Sequence, residues 1–342
     1  MKLIKESALT DFVDALIKEQ PKTVVGVKSK KDKFVYDALD SAKELRLDFD
    51  VTVASPKNYF LPSAETLLNY SLADKKVQAV NEVQPVIVIG VHPYDLIALE
   101  QMDVVFKDTN QDANYLQKRQ ESVVIGVNIQ KVSPYAFAGS MGTSTTGRGF
   151  DLMLTKVGGE YVVEEGSGKG SDLLKKYAKT SDASDKAVKE AEKAKTEIAS
   201  TFQKKLNFPA KDLPQLMGAS YNHAVWEEKA KKCLSCGSCN LVCPTCYCFD
   251  VQDITEVNLT KGMRVRTWDG CLLEDFAKVG SGENFREHRA SRYRHRFLRK
   301  GKYLSDKFGF IACVGCGRCA SACLPDIADP AKVFNTLKEG SK

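Results

Sequence analysis

Cysteine is absent from the first 232 residues of this chain, and all 11 cysteines lie between Cys233 and Cys323. This distribution excludes disulfides and thiolate–metal sites from the first two-thirds of the chain. It concentrates any metal chemistry in the last third. A disulfide framework is not expected there either, because such frameworks are typical of short secreted chains.

The chain also lacks long apolar runs. The longest, Pro85–Val91, has the length of a strand, whereas a membrane-spanning helix needs about 20 apolar residues. Residues 1–7 show neither the apolar region nor the cleavage site of a secretory signal. We therefore expect a cytoplasmic protein without a transmembrane segment.

Charge of one sign is not in large excess. The 342 residues carry a net charge of +6, which by itself does not identify a partner. With 43% hydrophobic and 27% charged residues the composition is that of an ordinary globular protein. The length is sufficient for two domains.

The first half of the chain shows the pattern of an α/β domain. Residues 85–91 and 122–128 are apolar on both faces, as in covered parallel strands, and a helix with Leu96, Leu99 and Met102 lies between them. The pattern also predicts a helix ending at Pro21, strands at 23–27, 34–36 and 49–53, and a helix opening at Pro62–Glu65.

Ligands of open α/β sheets bind at the carboxyl ends of the strands. Here those ends are His92–Asp95 and the loop 128–149. Residues 139–149 are rich in glycine and hydroxyl groups, which fits an anion-binding loop or a turn-rich connection. No dinucleotide fingerprint is present, and 166–170 is not a phosphate loop because Lys169 precedes a glycine instead of Ser or Thr.

The composition divides the chain into three parts. Residues 1–170 form the predicted α/β domain, and the Lys/Ala/Glu-rich residues 171–222 form a predicted helical connector. Residues 223–342 form a predicted ferredoxin-like domain with a long basic insert at 244–312.

Two cysteine runs in that last part share the spacing Cys-x2-Cys-x2-Cys-x3-Cys, which is the ligand run of bacterial ferredoxins. In two-cluster ferredoxins the fourth cysteine of each run binds the other cluster. One [4Fe–4S] cluster is therefore predicted on Cys233, Cys236, Cys239 and Cys323, and a second on Cys313, Cys316, Cys319 and Cys243. The alternative, structural zinc, usually shows two separated Cys/His pairs.

The insert carries three more cysteines. Cys246 and Cys248 follow the first run directly, and Cys271 follows Trp268 and Asp269. One hypothesis is a third [4Fe–4S] cluster on these three thiols, with Asp269 or an external group as the fourth ligand. The other is that they pack against the clusters or are reactive thiols.

Six arginines lie close together later in the insert. They are Arg286, Arg289, Arg292, Arg294, Arg296 and Arg299. A basic helix with aromatic residues can bind nucleic acid, form a solvated face, or compensate the negative charge of iron–sulfur clusters. We favour charge compensation, with some arginines docking a partner chain, because no nucleic-acid-binding module surrounds them.

Residues 233–248 resemble a family of iron–sulfur subunits that includes sulfhydrogenase beta and the corresponding iron–sulfur subunit of anaerobic sulfite reductases. The resemblance extends over nearly the whole chain. It continues at Trp268–Cys271, Gly282–Asn284, Arg289–Phe297, Ala312–Cys319, Tyr59–Pro62, Asp95–Leu96, Ser140–Thr143 and Gly149–Leu152.

The resemblance implies an electron-transfer subunit that connects a flavin- and NAD(P)H-binding partner to a hydrogenase or sulfite reductase subunit. It places the flavin on the partner. Many members of that family carry cysteines where this chain has Tyr94, Ile129, Ala136 and Ala138. The resemblance therefore implies that the α/β domain of this chain holds no cluster.

Three functions fit these observations. The first is a pure electron relay, which the absence of a nucleophile–base pair favours. The second is an iron–sulfur enzyme whose α/β domain binds a flavin or a small substrate. The third is an iron–sulfur protein with a regulatory or structural role.

Overall fold

The computed structural model describes residues 1–19 and 22–340. In chain order, the strands are β1 (Lys2–Lys5), β2 (Thr23–Lys30), β3 (Lys33–Ala38), β4 (Ala64–Ser71), β5 (Lys76–Ala79), β6 (Val86–Val91), β7 (Val123–Val127), β8 (Leu152–Val157), β9 (Glu160–Glu165), β10 (Ser181–Asp182), β11 (Phe249–Thr255) and β12 (Lys261–Trp268).

The α-helices are α1 (Glu6–Glu19), α2 (Pro93–Lys107), α3 (Ala113–Glu121), α4 (Ala138–Met141), α5 (Gly168–Tyr177), α6 (Asp185–Thr201), α7 (Leu213–Ala219), α8 (Val225–Ala230), α9 (Ser238–Leu241), α10 (Arg289–Leu298), α11 (Leu304–Phe308), α12 (Arg318–Ser321) and α13 (Pro330–Gly340). Short 3₁₀ turns cover Ala42–Glu44, Pro56–Tyr59, Ala210–Asp212 and Asp275–Ala277, and a π-helical turn covers Arg299–Tyr303. Pro21, the predicted end of the first helix, lies outside the described residues, and α1 ends at Glu19.

The larger sheet has eight strands in the order β10-β1-β9-β8-β7-β6-β2-β3. The pairs from β2 through β6 and β7 to β8 are parallel, and the outer pairs are antiparallel. Every residue of β6 and β7 is buried, because helices cover both faces. On one face of the sheet Ile87 and Ile89 pack in the core that contains α1. On the other face Val86 and Val88 pack in the core that contains α2. The predicted strand–helix–strand unit is thereby confirmed.

The smaller sheet has four antiparallel strands in the order β11-β12-β4-β5. It joins β4 and β5 of the first half to β11 and β12 of the insert. The predicted helix at Pro62–Glu65 is therefore wrong, since Ala64 begins β4. Within β4 apolar and polar residues alternate only over Leu68–Ser71, and the partner strand β12 lies far away in the sequence.

The predicted strand at 49–53 is also wrong. Thr52 makes only an isolated bridge to Phe34. Phe49 is fully buried and stacks on His92, with ring centroids 4.0 Å apart. Local β-propensity is overridden here, because the segment packs against the end of β6 instead of pairing along its length.

The segment predicted as a connector contains the expected helices, with an interruption at Ser181–Asp182. These helices pack on the larger sheet, α5 against β7 and β9 and α6 against β8 and β9. The interruption itself, β10, pairs with β1. The boundaries at 1–170, 171–222 and 223–342 stay predictions.

The last part of the chain forms a helical core around aromatic side chains. Tyr293 and Phe297 of α10, the predicted arginine helix, lie 4.9 Å apart between ring centroids. Trp226 of α8 and Phe334 of α13 pack against them.

Among the helices of the described chain, none is long and apolar enough to cross a membrane.

A buried ionic network attaches the smaller sheet to α3. Arg266 of β12 is 2% exposed and contacts both Glu65 of β4 and Asp112, the N-cap of α3. Lys118 of α3 also binds Glu65, at 2.7 Å. Removing Arg266 leaves Asp112 without a cation and leaves Glu65 with Lys118 alone, and an uncompensated buried charge is costly.

We therefore expect Arg266→Met to lower the free energy of unfolding by about 3 kcal/mol, because Glu65 and Asp112 lose their shared cation. Urea denaturation followed by circular dichroism on anaerobically purified protein measures this change. The control is Arg264→Met on the same strand, whose pair with Asp253 is half exposed and should matter little. Equal losses in the two variants would contradict the structural role of the network.

Candidate metal centre

Each cysteine run folds into a tight loop followed by one short helix. The helices α9 and α12 contact each other, and each begins after a glycine with a left-handed backbone. The φ angles are 71° at Gly237 and 80° at Gly317, values that favour glycine because it has no Cβ. The two runs are thus equivalent in conformation as well as in spacing.

The first cavity is lined by four thiols, Cys233, Cys236, Cys239 and Cys323. Three of these come from the first run and the fourth ends the second run. Apolar walls are supplied by Leu272, Tyr293 and Ile327. One side of this cavity approaches the surface: Cys236 is exposed, and the neighbouring Leu234 and Leu324 are 62% and 90% exposed.

The second cavity is lined by Cys243, Cys313, Cys316 and Cys319, again three thiols from one run and the fourth from the other. Phe137, Phe297 and Phe334 form part of its walls. Cys243, Cys316 and Cys319 are buried, and so are these three rings. The second cavity therefore lies deeper in the protein than the first.

Both cavities fit a cubane cluster by the chemistry of their donors. Each of the four thiols of a cubane site binds a different iron, so the thiols surround a cavity instead of a point. Among residues 1–19 and 22–340, no group of three or more His, Cys, Asp or Glu side chains is arranged to hold a single metal ion. The two predicted ligand sets each line one cavity, and their binding of clusters stays a prediction.

Burial disfavours the thiolate form that metals require. It raises the pKa of the Cys239 thiol to about 12 and that of Cys316 to about 12. Positive charge has to offset this effect when the thiolates form. Iron supplies part of that charge, and buried cationic side chains supply more.

Three cations lie buried at the cysteines: Lys57, which is 2% exposed, Arg296, which is 2% exposed, and Lys300, which is 6% exposed. Arg296 donates to the Cys239 carbonyl at 3.1 Å, and its Nε and Nη1 find no hydrogen-bond partner in the described protein. Lys300 Nζ donates to Thr245 at 2.7 Å. Lys57 Nζ donates to the carbonyls of Cys243 and Cys246, each at 2.9 Å.

Within the described part of the chain, none of these three cations forms an ion pair with a carboxylate. Of the other buried cations, Lys118, Arg266 and Arg318 do form such pairs. Arg292 does not, and it donates to backbone carbonyls and to the Ser235 hydroxyl. A buried charge without a counter-ion costs several kilocalories per mole. An anionic cluster of iron, sulfide and thiolate is the counter-charge that these side chains fit, and its sulfides can accept the orphaned N–H groups of Arg296.

The arginine stretch divides between the interior and the surface. Arg292 and Arg296 are buried, and Arg292 donates to the backbone carbonyls of Arg286 and Glu287.

Lys57 and Lys300 were not predicted from the sequence. Lys300 continues the same basic segment and was detectable, whereas Lys57 lies far away in the sequence and carries no local signal.

The second cysteine run packs against the segments that follow β6 and β7. Arg318 of α12 binds both oxygens of Asp95 at 2.6 Å and also donates to the Thr52 carbonyl at 2.8 Å. The Nδ1 atom of His92 and the hydroxyl of Tyr94 form a hydrogen bond of 2.7 Å. Burial lowers the pKa of His92 to about 3, so this imidazole stays neutral beside Arg318.

The glycine- and hydroxyl-rich loop covers the second run. Phe137 donates its N–H to the Gly315 carbonyl at 2.8 Å, and the Thr143 hydroxyl donates to the Val314 carbonyl at 2.7 Å. A Cβ at Gly317 would lie 2.5 Å from the Tyr135 carbonyl carbon. Glycine is therefore required where the two backbones meet.

Tyr94, Ile129, Ala136 and Ala138, the four positions at which the resembling family often has cysteine, converge in space. They form one apolar cluster together with Val314 and Cys316 of the second run. In this chain the four side chains pack against the loop that lines the second cavity.

The third set of cysteines also comes together. The Asn240 amide lies 3.3 Å from the Cys271 sulfur and 3.7 Å from the Cys246 sulfur. Burial raises the pKa of Cys248 to about 11, and Cys271 and Asp269 contribute to that rise. The Asp269 N–H donates to the Cys248 carbonyl at 3.1 Å. Asn240 was not singled out from the sequence, although it stands between two cysteines of the first run.

Comparison with known proteins agrees with this geometry. The family model of the 4Fe-4S dicluster domain matches residues 232–327. The chain is 30% identical over 306 residues to the sulfhydrogenase 2 subunit beta of Pyrococcus furiosus, covering 89% of each chain. No solved structure matches the chain.

The match spans both the α/β region and the cysteine-rich region, and the predicted family resemblance is confirmed. A domain of this type carries two [4Fe–4S] clusters, which agrees with two cavities of four thiols each. The chain belongs to the family of the sulfhydrogenase beta subunits.

Proposed function

We propose that this protein is the electron-transfer iron–sulfur subunit of a cytoplasmic oxidoreductase complex. It passes single electrons between a flavin- and NAD(P)H-binding partner and a catalytic subunit of the hydrogenase or sulfite reductase type. The observation that carries the proposal is the pair of adjacent cavities, each lined by four thiols in a crosswise arrangement.

In this proposal Cys233, Cys236, Cys239 and Cys323 hold one cluster, and Cys243, Cys313, Cys316 and Cys319 hold the other. A [4Fe–4S] cluster supplies one-electron chemistry at a potential that charge, hydrogen bonds and solvent exposure adjust. The protein contributes the thiolates and the apolar walls that exclude water. It also contributes the buried cations.

The position of the α/β domain supports a relay over an enzyme. In open α/β sheets a substrate or flavin binds at the carboxyl ends of the strands. At that edge Arg318 forms an ion pair with Asp95. The loop of the second cysteine run packs against Tyr94 and Ile129. The domain thus presents its usual ligand-binding edge to the cysteine-rich domain.

Charge compensation by the arginine stretch fits the relay better than nucleic-acid binding. Arg292 and Arg296 are turned into the protein and cannot reach phosphate. Arg296 lines the second cavity.

We also propose a third cluster on Cys246, Cys248 and Cys271. The observation in its favour is that one side-chain amide, that of Asn240, contacts two of the thiols, while the third lies beside Asp269. Three thiols leave one iron for Asp269 or an external ligand. Packing of the three thiols without metal is the competing interpretation.

Crosswise ligation predicts which cluster each variant loses. Cys323→Ser lies in the second run but should remove the cluster of the first cavity, with a loss of about four irons per chain. Cys316→Ser should instead remove the cluster of the second cavity. Iron and acid-labile sulfide analysis with EPR of the reduced protein distinguishes the two. Loss of the same EPR signal in both variants, or zinc in place of iron, would overturn the assignment.

The triple variant Cys246→Ser, Cys248→Ser, Cys271→Ser tests the third cluster. From about twelve irons per chain in the unchanged protein, we expect a fall to about eight, since the other ligand sets remain intact. Asp269→Asn is the companion variant and tests the fourth ligand through the EPR spectrum. An unchanged iron content in the triple variant would show that these thiols bind no cluster.

The relay and the enzyme differ in their flavin content. We expect the anaerobically purified chain to absorb as an iron–sulfur protein and to release no stoichiometric flavin on acid extraction. The same extraction from the assembled complex, which contains the partner, serves as the positive control. One flavin per isolated chain would support the enzyme.

A further inference from the structure

The buried cations without a carboxylate partner are not distributed evenly over the two cavities. Of the four in the described structure, Arg292 donates to the Ser235 hydroxyl in the first run at 3.3 Å, and the other three lie at the second cavity. Arg296 and Lys300 both line the second cavity. Lys57 donates to the carbonyl of Cys243, a thiol of the same cavity, at 2.9 Å. The first cavity has no lining cation in the described structure, and it is the one that approaches solvent.

Lys57 reaches this position from the α/β domain. It lies in the 3₁₀ turn Pro56–Tyr59, and its ammonium stands 4.2 Å above the Trp268 ring. The two carbonyls that it binds belong to Cys243 and Cys246 and point toward it from the loop after the first run. The turn therefore brings a positive charge into the cysteine-rich domain.

Lys300 is held in place through Thr245. The Thr245 hydroxyl donates to the Ala312 carbonyl at 2.6 Å and accepts from Lys300 Nζ at 2.7 Å. The same hydroxyl lies 3.4 Å from the Cys243 sulfur. The charge of Lys300 is thereby fixed close to a ligand of the second cavity, in surroundings with little water to screen it.

Positive charge near a cluster stabilises its reduced form, because reduction adds one negative charge. The stabilisation is larger where low-dielectric walls reduce screening. Both conditions hold at the second cavity. At the first, Arg292 and Arg296 approach only through the Ser235 hydroxyl and the Cys239 carbonyl, and the cavity reaches the surface at Cys236.

We propose that Lys57, Arg296 and Lys300 make the cluster of the second cavity the more easily reduced of the two, so that an electron entering at the first cavity comes to rest at the second. This inference rests on the proposed function, since it requires clusters in both cavities. In the transfer one electron leaves the reduced cluster of the first cavity, which is oxidised, and reduces the cluster of the second. No bond is made or broken.

The three cations are expected to differ in which clusters they affect. Lys57 and Lys300 act on the second cavity, and Lys57 also donates to the carbonyl of Cys246, a residue of the third set of thiols, at 2.9 Å. Arg296 also donates to the carbonyl of Cys239, a thiol of the first cavity. Its replacement should therefore affect both clusters.

The test is an EPR-monitored redox titration of the anaerobically purified full chain. We expect Lys57→Met and Lys300→Met each to shift the midpoint potential of the second cluster to more negative values, and to shift the first cluster less. Lys300→Arg, which keeps the charge, should restore most of the potential. Repeating the titration in a background that combines Cys323→Ser with the triple variant Cys246→Ser, Cys248→Ser, Cys271→Ser leaves only the signal of the second cavity.

The matched control is Arg294→Met, which removes one cation from the same helix as Arg296. The Arg294 guanidinium stacks on Tyr221 at the surface, with 4.0 Å to the ring centroid, and water screens it there. Its removal should leave both potentials nearly unchanged.

Two results would overturn the inference while leaving the relay intact. One is full iron content with unchanged potentials in the Lys57 and Lys300 variants. The other is a first cluster that is more easily reduced than the second in the unchanged protein. Absence of iron from the unchanged protein would instead overturn the proposed function together with this inference.

Discussion

The arrangement of the molecule depends on the ion pair between Arg318 and Asp95. It joins α12, the short helix within the second cysteine run, to the first turn of α2 just after β6, and both side chains are fully buried. Because each charge would be costly alone, the ion pair stabilises the contact between the two parts of the chain. Gly315 and Gly317 allow this contact, since the loop from Tyr135 to Thr143 lies directly on their backbone.

Buried cations serve two purposes in this protein. Arg318 and Arg266 are neutralised by carboxylates and hold elements together, α12 on the larger sheet and β12 on α3. Lys57, Arg296 and Lys300 have backbone or hydroxyl partners at the cysteines and no carboxylate in the described structure. Their charge remains available to an anionic cofactor. Charge balance thus separates Arg318 and Arg266, which join elements of the fold, from Lys57, Arg296 and Lys300, which lie at the second cavity.

The two cavities differ in the features that set the potential of a cluster. The first is close to solvent and has exposed leucines beside it, whereas the second is enclosed by aromatic rings and by the α/β domain. The α/β domain covers one cysteine loop and brings the Lys57 ammonium to the carbonyl of Cys243.

The spacing of the cysteines alone predicted two sets of four thiols, and each set lines one cavity in the folded chain. That these sets bind clusters stays a prediction. The apolar strands Val86–Val91 and Val123–Val127 were equally readable, since burial on both faces requires continuous hydrophobicity. Only the tertiary structure decided that residues 64–71 form a strand, that Lys57 reaches Cys243, and that Asn240 connects Cys246 with Cys271. Each of these features depends on a partner distant in the sequence or on the path of a loop in the folded chain. Such contacts leave no periodic or regularly spaced pattern in the local sequence.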